Sequence, residues 1–335
     1  MFAFKRFHSM TYQAPWYLPN GHLQTIFPSL FRKVAGLRYL RERITTHDGD
    51  FLDLDWISRE GDTTPAQEGI RPAADTLVII SHGLEGDSQR SYVKGLAKAF
   101  LLQGCHALAW NYRGCSGESN KLPHFYHSGA THDLAEVVGH VLQHKQYKTL
   151  ILAGFSLGGN LTLKYLGEQG EKLPPQIRKS VVFSVPLDLA ASSRKIGMRE
   201  NRIYEMRFLN HLRQKLRNKA QLQPGALDLG PLQNIRTLWD FDDLYTAPLH
   251  GFKNAEDYYA RCSSIQFVEH IRISTLILNA KNDPFLSAEC YPVQKLKGHP
   301  FVKFESPDEG GHVGFPQAGE LNYSEKRALK FVFEE

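Results

Sequence analysis

LILAGFSLGGNLTLKYL (150–166) passes from an apolar run into a helical pattern through Gly154-Phe155-Ser156-Leu157-Gly158. A buried strand that turns into a helix ordinarily does so on polar residues. Here one hydroxyl stands between Phe155 and Leu157, and the small residues Gly154, Gly158 and Gly159 let strand and helix approach closely. A turn of the form G-x-S-x-G holds its serine in a strained conformation above the edge of a sheet. The motif alone arises by chance in many chains, so the strand before it and the helix after it carry the information.

Working outward, apolar runs recur at TLVII (76–80), CHALAW (105–110), TLILAG (149–154), SVVFSV (180–185), STLILN (274–279) and FVKFE (301–305). Between the first three, SYVKGLAKAFLLQ and HDLAEVVGHVLQHKQ place apolar residues three and four apart, which predicts helices. Apolar strands alternating with amphipathic helices predict an α/β fold whose mostly parallel central sheet is covered on both faces. Upstream, LRYLRERITTHDGDFLDLDWIS alternates apolar and polar residues about Asp48-Gly49, a hairpin signal, and the polar 59–75 reads as a surface loop. The alternation breaks once, between SVVFSV and STLILN, where roughly ninety residues with helical periodicity exceed what one crossover requires. Residues 190–260 are therefore expected as an inserted helical cap on a core built from 1–189 and 261–335. Its position overlies the carboxyl ends of the strands, where open α/β sheets bind their ligands.

A serine hydroxyl is a weak nucleophile at neutral pH and requires a base, itself oriented by an acid. The chain order Ser, Asp/Glu, His directs the search downstream. STLILN is followed at once by AKNDPFLS, which places Asp283 beyond a strand's carboxyl end, and FVKFE by SPDEGGHVGF, which does the same for His312. Taken singly, Asp283 before Pro284 is a turn initiator and His312 beside two glycines a loop histidine. Taken together, three residues in order at strand ends read as a catalytic triad. Asp188, just past SVVFSV, is a rival acid at the cap entrance. Asp283 is preferred because its loop adjoins the strand leading to His312. An oxyanion hole needs two N–H donors: Leu157, next to the serine, and Leu84, in the His82-Gly83-Leu84 loop after the first run.

Composition excludes several other classes. Of 335 residues, 42% are hydrophobic and 22% charged, the balance of a packed globular chain. A net charge of +5 without a block of consecutive Lys/Arg gives no support to a nucleic-acid partner. SSRKIGMRENRIYEMRFLNHLRQKLRNKA interleaves basic and apolar residues at helical spacing; this reads as a solvated helix face or, more sharply, as weak peripheral contact with acidic lipid headgroups. No run reaches the roughly eighteen apolar residues of a membrane span, and the N-terminus lacks a signal-peptide core. Cys105, Cys115, Cys262 and Cys290 show no CxxC spacing, so the expectation is a cytoplasmic protein without membrane insertion or a disulfide framework. His140 and His144 lie four apart without an HExxH or carboxylate-rich set, and no metal or cofactor is expected. Asn111, Tyr112 and Arg113 follow a strand end and are read either as lining the crevice or, for Arg113, as tying loops together. The sequence leaves the oligomeric state open.

HGLEGDSQRSY, NYRGCSGESN, GFSLGGN, KNDPF and GGHVGF together resemble the α/β-hydrolase superfamily, specifically its family 4, the YheT-like esterases. PNGHLQTIFP and DFDDLYTAPLHGFKNAEDYY extend the likeness over nearly the whole chain and are more specific than G-x-S-x-G. The resemblance implies the α/β-hydrolase fold and an esterase-type serine hydrolase without a cofactor, whose site residues fall on Ser156, Asp283 and His312. Cleavage of a short- to medium-chain acyl ester through an acyl-serine intermediate is the expected reaction, with that small-molecule ester as partner. An acyltransferase passing the acyl group to an alcohol would use the same residues. A non-catalytic binding protein on this scaffold would have no need of all three.

Overall fold

The computed structural model describes residues 12–59 and 75–335; the loop read at 59–75 lies, but for its two ends, outside the described residues. Eight strands form one sheet: β1 (Leu37–Thr45), β2 (Phe51–Arg59), β3 (Thr76–Ser81), β4 (His106–Asn111), β5 (Thr149–Phe155), β6 (Ile177–Phe183), β7 (Ser274–Leu278) and β8 (Val302–Glu305). Their spatial order is β1-β2-β4-β3-β5-β6-β7-β8. β1 and β2 form the expected antiparallel hairpin, whose turn closes with the Gly49 N–H donating to Thr46 O at 3.0 Å while Gly49 takes φ +83°. β2 is antiparallel to β4, and every later pairing is parallel.

The central strands are buried on both faces because two helical layers take alternate side chains. From β3, Leu77 and Ile79 join one core with Val137 and Val141 of α3 (Thr131–His144) and Leu161 and Leu166 of α4 (Leu157–Gln169). Val78 and Ile80 join the other, with Leu96 and Phe100 of α2 (Ser91–Leu102) and Leu329 of α10 (Tyr323–Glu334). Truncating one such side chain, for instance Ile79→Ala, removes about 2–5 kcal/mol. α1 (Gly21–Phe31) packs outside this frame, against the loops after β7 and β8.

After β3 the chain pairs β4 on one side, then crosses to pair β5 on the other. This reversal is a topological switch point and opens a crevice at the strand ends. The 274–279 and 180–185 runs become β7 and β6, and the connection between them holds helices and loops without a strand: α5 (Leu189–Ile196), α6 (Arg202–Leu222), α7 (Leu238–Phe241), a π-helical turn (Asp242–Thr246), α8 (Ala247–Leu249) and α9 (Ala255–Cys262), with short 3-10 turns between. Leu209, Leu212 and Leu216, one stripe of α6, gather with Ile235, Leu238 and Phe241 into a core of their own. No helix among the described residues is long and apolar enough to cross a membrane.

Candidate active site

β5 ends at Phe155 and α4 begins at Leu157, so Ser156 alone makes the turn, at φ 52° and ψ −119°. A side chain in this left-handed region costs about 1–3 kcal/mol and persists only where the surroundings over-determine it. They do so here: the Ser156 N–H donates to Phe183 O at 2.9 Å, and its carbonyl accepts from Gly159 and Asn160 at 2.8 and 3.0 Å. The neighbouring glycines are obligatory. A Cβ on Gly154 would stand 2.3 Å from Gly158 O, one on Gly158 2.4 Å from Ser81 O, and one on Gly159 2.6 Å from a Val185 methyl.

His312 and Asp283 meet at the same end of the sheet, both buried, with Nδ1 at 3.0 and 2.9 Å from the two carboxylate oxygens. An ionised carboxylate only accepts, so Nδ1 carries the proton and a neutral ring leaves Nε2 free as a base. Asp283 Oδ1 also accepts the Phe285 N–H at 2.9 Å, and the Phe285 ring lies 4.3 Å from the imidazole, centroid to centroid. The loop carrying His312 is tied to the β6 end, where the Val313 N–H donates to Ser184 Oγ at 2.8 Å, one residue beyond the carbonyl that holds Ser156. No hydrogen bond joins Ser156 Oγ to His312 in this structure. Asp188 sits elsewhere, as the N-cap of α5, accepting the Ala191 N–H at 2.9 Å.

The loop after β3 passes directly beside the serine: a Cβ on Gly83 would lie 3.4 Å from Ser156 Cβ. Its peptide orientations are fixed in turn. The Gly83 N–H donates to Tyr92 OH at 3.1 Å, and the Glu85 N–H to Tyr126 OH at 2.9 Å. The Gly83 carbonyl accepts from the Gly86 N–H at 3.0 Å and from His82 Nδ1 at 2.8 Å. His82 is a donor there because its Nε2 accepts the Tyr112 N–H at 3.3 Å, and burial lowers its pKa to about 3, keeping the ring neutral. A trans peptide directs its N–H opposite to its C=O. With the Gly83 carbonyl bolted on one side, the Leu84 N–H of that peptide is left facing the other. Neither it nor the Leu157 N–H has a hydrogen-bond partner among the described residues.

Ser156, Leu84 and Leu157 line one wall of a cavity that the β6–β7 helices close with Ile196, Leu212 and Phe241. One carboxyl also borders it. Asp242, in the π-turn, accepts from Thr246 OH at 2.5 Å and Tyr259 OH at 2.6 Å, and burial raises its pKa to about 6. A second groove, between His47 and α3, contains His132, His140 and His144. His140 pairs with Glu42 at 2.9 Å, and no group of three or more His, Cys, Asp or Glu among the described residues is arranged to hold a metal ion. Arg113 is buried and ties loops, bonding Asp48 at 2.7 Å and Asp133 at 2.7 Å.

With this geometry in view, residues 76–318 match the family model described as alpha/beta hydrolase fold. The chain belongs to the α/β-hydrolase family. Within it, the protein is YheT-like: it is 35% identical to "Putative esterase YheT" of Escherichia coli (strain K12) over 298 residues, 88% of this chain and 84% of that protein. It is 31% identical over 274 residues to the monoacylglycerol lipase of Saccharomyces cerevisiae, covering 78% of this chain and 60% of that one. Human phospholipase ABHD3 shares 28% over 308 residues, 91% and 73% of the two chains. Among solved structures, the Pyrococcus furiosus esterase Pf2001 superposes with a TM-score of 0.56 at 17% identity, over 90% of this chain and 97% of that one, a likeness of fold.

Several residues that hold this α/β-hydrolase site together escape a reading of the sequence. Gln24 Oε1 accepts both the Gly310 N–H at 2.8 Å and Asn282 Nδ2 at 2.9 Å, and Thr25 Oγ1 accepts the His312 N–H at 2.8 Å. Both lie on α1, nearly the whole chain away from the loops they support. Tyr92 and Tyr126 brace the loop after β3 in the same way. The only trace of Gln24 and Thr25 in the sequence was the PNGHLQTIFP motif, and that had no chemistry attached.

Proposed function

We propose that the protein is a serine hydrolase that cleaves short- to medium-chain acyl esters. The observation that carries this reading is a strained Ser156 on the wall of an apolar cavity, at the same carboxyl end of the sheet as a buried His312–Asp283 pair. Its YheT-like kinship, and relatives named as esterase, phospholipase and monoacylglycerol lipase, support it. In the reaction, His312 Nε2 takes the Ser156 proton as Oγ attacks the ester carbonyl. Asp283 keeps the ring in the required tautomer and stabilises the imidazolium. The N–H groups of Leu84 and Leu157 receive the developing oxyanion, each such donor contributing about 3–4 kcal/mol. Collapse expels the alcohol, which takes the proton from His312. Water, activated by the same imidazole, then releases the acid and restores Ser156. The four free cysteines fit a cytoplasmic setting.

Residues 190–260 act in this reading as a cap whose inner wall receives the acyl chain. A p-nitrophenyl ester series tests it. Ile196→Trp, which fills the cavity from the cap side, should lower kcat/KM on the octanoyl ester at least tenfold and leave the acetyl ester within threefold. Equal losses on both would refute the cap's role, and a wild-type protein inert on the whole series would refute the function.

The partner reading extends to a lipid surface. Trp16 is 90% and Ile203 80% exposed, Leu30, Phe31 and Met206 are exposed too, and Arg199, Arg202 and Arg207 stand beside the α6 pair. The α1 and α6 ends meet where His22 Nδ1 lies 3.2 Å from Tyr204 OH. An apolar face edged with arginine fits peripheral contact with anionic lipid. Co-sedimentation with phosphatidylglycerol vesicles should fall severalfold in Trp16→Ala/Arg202→Glu; unchanged binding would remove the proposal.

A further inference from the structure

A buried ion pair joins the loop after β3 to the helices above it. Lys215 of α6 places Nζ 2.6 Å from Glu85 Oε1 and 3.1 Å from Cys115 Sγ, and 4.7 Å from the centroid of the Tyr126 ring. The two charged side chains are only 13% and 8% exposed. Glu85 follows Leu84 directly and has a positive φ, 50°, which a side chain adopts only under constraint. Tyr126 closes the arrangement, since its OH donates to Glu85 Oε1 at 2.7 Å while accepting the Glu85 N–H at 2.9 Å.

These contacts form a chain of dependence. The Leu84–Glu85 peptide is held by the Tyr126 hydroxyl, that hydroxyl is oriented by the Glu85 carboxylate, and the carboxylate is neutralised by Lys215. A buried carboxylate that loses its cation is strongly disfavoured and relaxes by turning toward water. If Glu85 leaves its left-handed conformation, the adjoining Gly86 N–H is drawn off the Gly83 carbonyl, and the Gly83–Leu84 peptide that bears the Leu84 N–H loses one of its two anchors. The supports on the other side, Tyr92 and His82, act on Gly83 and stay in place. Lys215 comes from a different part of the chain from every other support of this loop.

We propose that Lys215 and Glu85 form a latch through which helix α6 sets the Leu84 N–H, so that the oxyanion hole is complete only while α6 is seated on the site. The inference rests on the reading above in which Leu84 is an oxyanion donor. Both residues are positioning residues, and neither touches the substrate. Because they act as one unit, their effects fall on the chemical step, are the same for every acyl chain, and do not multiply when combined.

Steady-state kinetics of K215M, E85Q, K215R and K215M/E85Q on p-nitrophenyl acetate and hexanoate test this, with thermal melts and fluorophosphonate labelling of each protein. Removing a donor outright costs about 100- to 1000-fold in kcat, so displacing one should cost roughly 10- to 100-fold. K215M and E85Q should each show that loss in kcat, by the same factor on both esters, with KM within threefold. K215R should recover to within fivefold of wild type, and the double variant should be no slower than the slower single. A folded K215M with wild-type kcat, losses confined to KM, or losses that multiply in the double variant would each overturn the latch. If K215M does not fold, E85Q decides: wild-type kcat there overturns it equally. A wild-type protein that neither turns over these esters nor takes the label would instead sink the functional reading.

Discussion

The two ends of the parallel sheet solve the same geometric problem in different ways. Where the chain must enter the left-handed region before a strand, it uses glycine: Gly104 before β4, Gly170 before β6 and Gly298 before β8, with φ +81°, +49° and +75°. At the carboxyl ends glycines serve too, Gly114 after β4 and Gly311 after β8, but residues with side chains also take that conformation. Glu85, Ser156, Ser184, Val313 and Phe315 are the five non-glycine residues with positive φ among the described residues, and all lie beyond the ends of β3, β5, β6 and β8. At about 1–3 kcal/mol each, five such residues cost about as much as the net stability of a typical domain. Each is pinned by its own N–H: to Tyr126 OH, Phe183 O, Leu278 O, Ser184 Oγ and Gly310 O respectively, at 2.8–2.9 Å. Strain is thus accepted where a side chain is needed at the turn and avoided where only a turn is needed.

If this contrast is functional, damage at the two ends must differ in kind. The largest effect is expected at the acid. Asp283→Asn should lower kcat by about four orders of magnitude in a folded protein, because the imidazole loses its tautomer and its counter-charge. Asp188→Asn, which weakens only the α5 cap, should stay within a few-fold of wild type; the reverse ranking in ester assays would move the acid to Asp188. Next comes Gly310→Ala, whose Cβ would stand 2.5 Å from the Phe315 ring and 2.7 Å from Ala280 Cβ. It should displace the His312 loop, lowering activity more than tenfold along with Tm. The smallest effect belongs to Gly104→Ala. A new Cβ there meets nothing within 4 Å, so only the left-handed backbone is penalised, by about 1–2 kcal/mol. Its melting temperature should drop by a few degrees at unchanged kcat, and a loss of activity would break the comparison between the ends.

Most of this framework was legible in the sequence because it rests on local patterns. The period of apolar residues located the strands, Asp48-Gly49 located the hairpin, and the order of Ser156, Asp283 and His312 placed three side chains at strand ends. In the fold His312 and Asp283 are in contact, and Asp188 caps α5. What was not legible depends on pairs distant in sequence. Gln24 and Gly310 are 286 residues apart, and Glu85 and Lys215 are 130 apart. Nothing in LEGDS or in HLRQKL shows that the two segments meet, because an acid in a loop and a lysine on a helix are ordinary surface residues until the fold buries them together. The helical stretch between β6 and β7 was visible as a break in alternation, whereas which of its side chains face Ser156 depends on how α5, α6 and α7 pack.

The central claim is that the strained serine is the nucleophile. Its most direct test is mass spectrometry of the protein after reaction with a fluorophosphonate, followed by peptide mapping, in wild type and in Ser156→Ala. The account predicts one phosphonyl adduct per chain, on Ser156, and none in the folded variant. An adduct on another residue, or a Ser156→Ala protein labelled as rapidly as wild type, would contradict it.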